Sequence, residues 1–413
     1  MLINFKKYAN NTAIIYNNNG NIIKKTYSEL YEDVNNIELG YKDIVYIYNL
    51  DKYSSLLIQL KCILNSRIFC HLPDNSTEEY INTIKKTIFN NPINGNTTHI
   101  ITSSGTTGTP KLITLDIRNV VNTIKYQTKM CNITEDSIVS CFLSMSFDAS
   151  MSDIYIALIN GATLYLTETL LTNIKKINKE IKDFNLTHLD LPPSLLKYIN
   201  FENFTNVKSL IFGGELANEY VVKSISKLGI KCFNAYGPTE NTICASMRLV
   251  TDDWQSNNIG TPFTNNGRKT YKIIDKELYL SEGLFYEYIG NTELYKRKVI
   301  NINNKYYFAT GDLVVLLKNE LYYMGRKDRQ FKHNGILICP EEVEKAARNT
   351  GCTYASVICE SPFTLAHNSN LTIDDFRNEL LKFLPKSRIP QIFHYVTKDV
   401  SECLTTNGKT KKI

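Results

Sequence analysis

The chain has 413 residues, 43% hydrophobic and 21% charged, and 47 basic against 41 acidic side chains give a formal net charge of +6. That composition predicts a globular protein of two domains, or one large domain with an appendage. No apolar run approaches the ~18 residues of a membrane span, and the basic excess is dispersed with no arginine-rich or aromatic-interleaved block, so neither a membrane nor a nucleic acid is expected as a partner. In chain order, strands TAIIY and NIIKKTY flank an NNNGN turn, and a helix opens at Ser28. A strand follows over 43–49, then helices over 54–64 and 77–87. Beyond a polar loop at 102–111 the spacing predicts a helix over 117–130, a strand over 140–143, a helix over 152–159 and a strand over 162–166. An amphipathic helix over 174–184 precedes a strand over 187–191, and Pro193 opens the next helix. Strands at 209–212 and 231–235 run into glycine-bearing turns. Residues 271–308 read as a strand-dominated subdomain, and after Arg326 the pattern becomes a smaller α+β unit with helices at 340–347 and 373–384 and strands at 355–359 and 393–396. The expected class is α/β, a large layered domain over 1–327 and a small α+β lid over 328–413, with a hinge at Asp328.

Ten cysteines show no CxxC pair and no metal-ligand spacing with histidine. They read as small buried hydrophobes in a reducing, cytoplasmic setting.

The stretch HIITSSGTTGTPKL, His99 to Leu112, carries the first chemistry. Thr102, Ser103, Ser104, Gly105, Thr106, Thr107 and Gly108 offer hydroxyls and a backbone able to turn its N–H groups outward, and Lys111 adds a cation. Convergent donors with one mobile cation make a phosphate cradle. It is not a Walker A loop, in which the lysine follows glycine directly and precedes Ser or Thr. Further turns line up behind it: Asn234 to Glu240 (NAYGPTE), Tyr306 to Leu313 (YYFATGDL), Gly325 to Asp328 (GRKD) and Leu404 to Lys409 (LTTNGK). Each alone is ordinary turn chemistry.

Taken as an ordered set, these motifs resemble the adenylate-forming superfamily, in particular the amino-acid adenylation domains of non-ribosomal peptide synthetases and the D-alanine–carrier protein ligases. TYSEL at 26–30, ELYLS at 277–281 and LPKSRIP at 384–390 extend the resemblance nearly end to end. The resemblance implies an enzyme that condenses a carboxylic acid with ATP, releases pyrophosphate, and passes the acyl group to a phosphopantetheine thiol. It implies ATP and Mg²⁺ as cofactors. The 102–108 loop, Lys111, Gly214, Asn234, Ala235, Tyr236, Gly237, Thr239, Asp312 and Arg326 would hold the nucleotide: Tyr236 on adenine, Asp312 on the ribose hydroxyls with Arg326 beside it. Thr106 and Glu240 would ligand Mg²⁺. Lys409, with Glu240 and Lys111, would serve the chemistry, and rotation about Asp328 would bring the lid into place. The sequence departs from the family pattern at Leu112, Ala309, Asn334 and Leu337, none of them assigned to the adenylation step.

Ser146 to Ser150 (SFDAS) resembles the segment in which an aspartate, here Asp148, binds the α-ammonium of an amino acid. The competing assignment for Asp148 is a helix N-cap. By the same resemblance Ala149, Ser152, Asp190, Ile211, Gly213, Ala235, Ile243 and Cys244 line the side-chain pocket. Asp190 is a second acid in an otherwise small and apolar wall, so a basic side chain (Lys, Orn or Arg) is the first expectation. A small residue such as D-alanine, with Asp190 bonded locally to His188 or a backbone amide, is the alternative. An acyl- or aryl-CoA synthetase is disfavoured by Asp148, and a pseudoenzyme by the presence of Glu240 and Lys409. The chain ends four residues after Lys409, so a separate carrier protein is expected as acceptor.

Overall fold

The computed structural model describes residues 2–18, 20–74, 76–103, 110–264, 270–352, 354–360 and 362–396. Its largest sheet has eight strands, in the order Ser246–Leu249, Lys231–Tyr236, Ser209–Gly213, His188–Asp190, Ile138–Cys141, Thr163–Leu166, Thr12–Asn18, Asn21–Thr26. The six inner strands run parallel and the two edges antiparallel. Parallel strands need helical crossovers, so the alternation of strand and helix in the sequence translates directly into this sheet. A second sheet carries Ile44–Ile47, Ile68–His71, His99–Ser103 and Lys111–Leu115, the last antiparallel to its neighbour. A third, antiparallel sheet is built from Asn258–Gly260, Glu320–Arg326, Lys305–Leu317, Glu277–Leu280 and Tyr271–Ile274, with Val299–Ile302 also paired to Lys305–Leu317.

Local chemistry explains the element ends. Thr26 and Glu29 form a reciprocal capping box, so the first helix begins at Tyr27, one residue earlier than expected. The helix Ala149–Ile159 is buried along its whole length from Ser150 to Leu158. Such a helix is covered on every side, and here it packs into the core shared with Val139, Leu164 and Phe233. The lone tryptophan, Trp254, is fully buried edge-on to Phe212.

Some expectations need correction. Pro193 opens a 3₁₀ turn, Pro193–Tyr198, and not an α-helix. The strand-dominated stretch contains a short helix, Thr292–Lys298, capped by Asn291. Lys111 lies in a strand, Lys111–Leu115, that forms a hairpin with the strand before the cradle. Asp312 lies inside the 13-residue strand Lys305–Leu317, not in a turn.

Residues from 331 onward have a core of their own, with Phe331, Ile338, Val343, Phe363, Leu365, Phe376 and Leu380 packed together. Beside it Arg388 donates to Glu342 at 3.0 Å, and both side chains are almost wholly buried. Arg388→Met should therefore leave a carboxylate in that core without its guanidinium and destabilise the unit by about 3 kcal/mol or more. Thermal unfolding would read this as an early transition, and an unchanged melting curve would contradict it.

Candidate functional site

The carboxyl ends of the parallel strands gather the candidate residues, where an open α/β sheet presents its loops. Asp190 ends its strand, with Ile211 beside it in register, and Gly213 pairs with Ala235 one strand over. A Cβ on Gly213 would stand 2.2 Å from the Ala235 carbonyl oxygen, and one on Gly237 would meet Cys244 and Ala245 at 2.6 Å. Both positions exclude a side chain. The next turn places Thr239 and Glu240 in a single 3₁₀ turn, and Thr242 and Ile243 follow with φ of 54° and 71°. A β-branched residue in that region is strained, and such strain persists where surrounding structure imposes it.

Three groups of contacts organise the site. In the first, the Tyr288 hydroxyl donates to Glu240 Oε1 at 2.7 Å, and Lys111 Nζ lies 5.8 Å from the centre of the Tyr288 ring. Burial, reinforced by Glu240, raises the Tyr288 phenol well above its ordinary range, so it remains a donor. Glu240 Oε2 takes no hydrogen bond among the described residues, which leaves one carboxylate oxygen for a cation. Thr102 and Ser103 end the strand that faces Lys111 across the hairpin, and the buried Ser103 hydroxyl has no hydrogen-bond partner among the described residues. Ser104, Gly105, Thr106, Thr107 and Gly108 lie outside the described residues, as does Lys409.

In the second group, Asp312 accepts from the Tyr236 hydroxyl at 2.6 Å and from Arg326 Nη1 at 2.5 Å. The same guanidinium clasps Asp328 through Nε and Nη2 at 2.7 and 2.9 Å. Burial alone would raise the Asp328 carboxyl, but Arg326 outweighs it and holds the group below its ordinary range. A Cβ on Gly311 would come within 2.7 Å of Arg326 Nη2. That glycine is there so that the guanidinium can lie against the backbone. Asn234 belongs to a neighbouring support: its amide donates to the Asn258 carbonyl at 2.9 Å.

The third group holds the residues expected to line the substrate pocket. Asp148 occupies the first position before the helix Ala149–Ile159, yet its side chain makes no capping bond and its Oδ2 is buried without a partner. The N-cap alternative is therefore not realised. Burial raises its carboxyl, against the pull of Thr239 and Lys332. Ser152 donates to Gln127 Oε1 at 2.8 Å, and the Gln127 amide reaches Cys244 Sγ at 3.5 Å. Asp190 makes no hydrogen bond or ion pair among the described residues, and burial pushes its carboxyl up to about 7. His188 cannot be its local partner, because that ring is bonded to Thr187 Oγ1 and the Cys131 carbonyl.

Tyr288, Gln127 and Lys332 carry no sequence signal of the kind sought above. Lys332 precedes the Asn334–Gly335 turn of the hairpin Phe331–His333/Ile336–Ile338, and that turn rests on the site. A Cβ on Gly214 would lie 3.5 Å from Gly335 Cα and 3.9 Å from Lys332 Nζ. Gly214 thus touches the C-terminal unit directly.

The comparisons agree with this geometry. The family model described as AMP-binding enzyme matches residues 67–282. Among curated proteins, Gramicidin S synthase 1 of Brevibacillus brevis is 29% identical over 339 residues, which are 75% of this chain and 30% of that protein. Bacitracin synthase 1 of Bacillus licheniformis is 28% identical over 77% of this chain and 7% of its own length. The chain thus spans under a third of either relative. Among solved structures, the Vibrio cholerae adenylation domain AlmE, in complex with glycyl-adenosine-5'-phosphate, superposes with a TM-score of 0.83 at 16% identity, covering 99% of this chain and 96% of that one. An artificially fused adenylation–PCP di-domain from Klebsiella oxytoca gives 0.78 at 19% identity over 94% and 92%. These two likenesses establish the fold.

A raised carboxyl favours the folded chain only while protonated, and that advantage is lost as pH rises through the folded value. Asp190→Asn should therefore gain little in melting temperature near pH 4, progressively more as pH rises to 7, and no more beyond, since Asp190 titrates at about 7 in the native state and near 4 unfolded. A gain that does not vary with pH would contradict the assignment.

Proposed function

The chain belongs to the AMP-binding enzyme family, and from that premise we propose that it activates an amino acid with a basic side chain (lysine, ornithine or arginine) as its aminoacyl adenylate. In this reading the substrate carboxylate oxygen attacks the α-phosphorus of ATP, the bond to the bridging oxygen of the β-phosphate breaks, and pyrophosphate leaves. The thiol of a carrier protein's phosphopantetheine then attacks the acyl carbon as its thiolate and AMP departs. Enzymes of this kind use ATP with Mg²⁺.

The observation that carries the reading is Asp148: a buried carboxylate oxygen at the head of the helix Ala149–Ile159 with no hydrogen-bond partner among the described residues. An ammonium group on the substrate would supply the missing charge, and fatty or aryl acids bring none. Asp190 extends the argument to the side chain, because its carboxylate forms no ion pair and no hydrogen bond among the described residues. Ala149, Ser152, Ile211, Gly213, Ala235, Ile243 and Cys244 would line the space between. Its raised carboxyl also leaves room for a small neutral substrate such as D-alanine, beside a protonated Asp190.

For the nucleotide, Asp312 would accept the ribose hydroxyls with lone pairs that Tyr236 and Arg326 leave free, and the Tyr236 ring would face adenine beside Gly214, Ala235, Gly237 and Thr239. The open oxygen of Glu240, with Thr106, fits an Mg²⁺ ion, whose charge would offset that building on the phosphates. Lys111 and the 102–108 loop would hold the β- and γ-phosphates. Lys409 would bridge the substrate carboxylate and the α-phosphate from the lid, 328–413, swinging about Asp328 against the core, 1–327. The separate core of the C-terminal unit supports that division, and the Arg326–Asp328 clasp supports the swing point. The Gly335 turn resting on Gly214 supports a second lid position, in which Lys409 is exchanged for the Lys332 hairpin. The carrier protein is proposed to act in trans. Cys62, Cys70, Cys131, Cys141, Cys232, Cys244, Cys339 and Cys352 are buried free thiols, which supports a reducing, cytoplasmic setting. No described helix is long and apolar enough to cross a membrane.

Amino-acid-dependent ATP–pyrophosphate exchange over a panel of L- and D-amino acids tests the proposal. Exchange should be strongest with lysine, ornithine or arginine, and Lys409→Ala should lower it by roughly 100-fold or more while ATP still binds. Exchange with D-alanine alone would keep the reaction and discard the basic substrate. Exchange confined to fatty or aryl acids would contradict the role of Asp148.

A further inference from the structure

The short helix Thr292–Lys298 carries three basic residues in its last turn. Lys296 and Arg297 are exposed, as cations at the carboxyl end of a helix ordinarily are, and Lys296 pairs with Glu293 at 3.0 Å. Lys298 differs from both. It is half-buried, and it forms no hydrogen bond or ion pair among the described residues. An ammonium group drawn partly out of water without a partner is unfavourable, and a long flexible side chain would ordinarily reach back to solvent.

The packing of the helix places this lysine. Leu294, and Val299 just beyond the helix, pack on a cluster that joins Ile101 and Ile113 of the cradle hairpin to Phe285, Tyr288 and Phe308. Lys111 Nζ lies 5.8 Å from the centre of the Tyr288 ring, so both lysines border the same apolar block. Val299 pairs with Phe308, which brings the end of the helix beside Ala309, and Thr310, Gly311 and Asp312 follow directly along that strand. Lys298 therefore lies where the hairpin carrying Lys111 converges with the strand carrying Asp312.

We infer that Lys298 is a second cation of the phosphate site, contacting with Lys111 the β- and γ-phosphates of ATP that leave as pyrophosphate. This rests on the reading that Lys111 and the 102–108 loop hold those phosphates, and deepens it. When the bond from the α-phosphorus to the bridging oxygen breaks, its electron pair goes to pyrophosphate. Two ammonium groups, fixed on separate elements, would offset that charge without transferring a proton.

The surrounding charges agree. Burial first, then Lys111, holds the Lys298 ammonium below its ordinary range, and Arg326 acts in the same sense. Asp328 and Glu277 act against them, but each is already engaged. Asp328 is clasped by Arg326, and Glu277 accepts from Lys327 Nζ at 3.1 Å and from the Gly311 N–H at 3.0 Å. Lys111 also has no ion pair among the described residues. Two unpaired ammonium groups within electrostatic reach repel each other, and an anion touching both would turn that cost into attraction.

The test is equilibrium binding of MgATP, magnesium pyrophosphate and AMP to the whole chain, measured by titration calorimetry. Lys298→Gln should weaken MgATP and pyrophosphate by roughly 10- to 100-fold and leave AMP, which lacks the β- and γ-phosphates, within about 2-fold. Lys298→Arg keeps the charge and should recover most of the loss. A Lys298→Gln variant that binds MgATP as the native chain does would overturn the inference and leave the phosphate reading of Lys111 standing. Equal weakening of MgATP and AMP would also overturn it, since that is the mark of a merely structural role. A native chain that binds AMP as tightly as MgATP and does not bind pyrophosphate would overturn the phosphate reading itself. Should Lys298→Gln fail to fold, acetylation of the native chain by an amine-reactive ester decides. MgATP and pyrophosphate should protect Lys298 in the peptide mass map while AMP does not, and absence of that protection would overturn the inference.

Discussion

A carboxylate oxygen removed from water without a hydrogen-bond partner is among the least favourable groups a fold can keep, and among the described residues this chain keeps one on Asp148 and one on Asp153. Asp148 stands half-buried at the head of a helix it does not cap, Asp153 is buried in that helix, and Asp190 ends the adjoining part of the sheet. Elsewhere the chain pairs its buried acids. Glu342 has Arg388, Glu240 has the Tyr288 hydroxyl, Glu180 has two threonine hydroxyls, and Asp312 has Arg326 and Tyr236. The contrast is what makes the pocket informative. Charge left unbalanced by the protein is charge a substrate is expected to balance.

The scaffold holds those acids apart by ordinary means. Parallel strands end on one edge, and the small residues there, Gly213 against Ala235 and Gly237 against Cys244, bring the backbones so close that no side chain fits between. In the proposed pocket that would leave the shape to Ala149, Ser152, Ile211 and Cys244, and the polarity to Asp148 and Asp190. On the far side Arg326 joins two functions in one guanidinium, because it fixes Asp312 in the large sheet-bearing core and Asp328 at the start of the C-terminal unit. A swing of the proposed lid about Asp328 would break or carry that clasp and so couple the lid's position to the acid proposed to hold the ribose.

The sequence told more about composition of the site than about its setting. The alternation of strand and helix was legible because apolar periodicity and caps agree, as at Thr26 and Glu29. Asp312 was misread as a turn residue because Gly311 beside it looks like turn chemistry, whereas its φ of 80° makes space for Arg326 inside a long strand. Pro193 was read as an α-helical start, and only packing distinguishes that from the 3₁₀ turn it opens. The proposed bond from Asp190 to His188 failed because the neighbouring Thr187 and the Cys131 carbonyl already occupy the ring. Tyr288 and Gln127 act across the fold, at separations of 48 residues to Glu240 and 117 to Cys244, and no local pattern marks such pairs.

The most direct test is equilibrium binding of stable sulfamoyl-adenosine analogues of two aminoacyl adenylates, lysyl and alanyl, measured by titration calorimetry. Asp148 would engage both through the α-ammonium, so the difference isolates the part proposed for Asp190. The account predicts that the lysyl analogue binds tighter by roughly 100-fold, the worth of a well-placed hydrogen-bonded charge pair. Equal affinity, or tighter binding of the alanyl analogue, would contradict it.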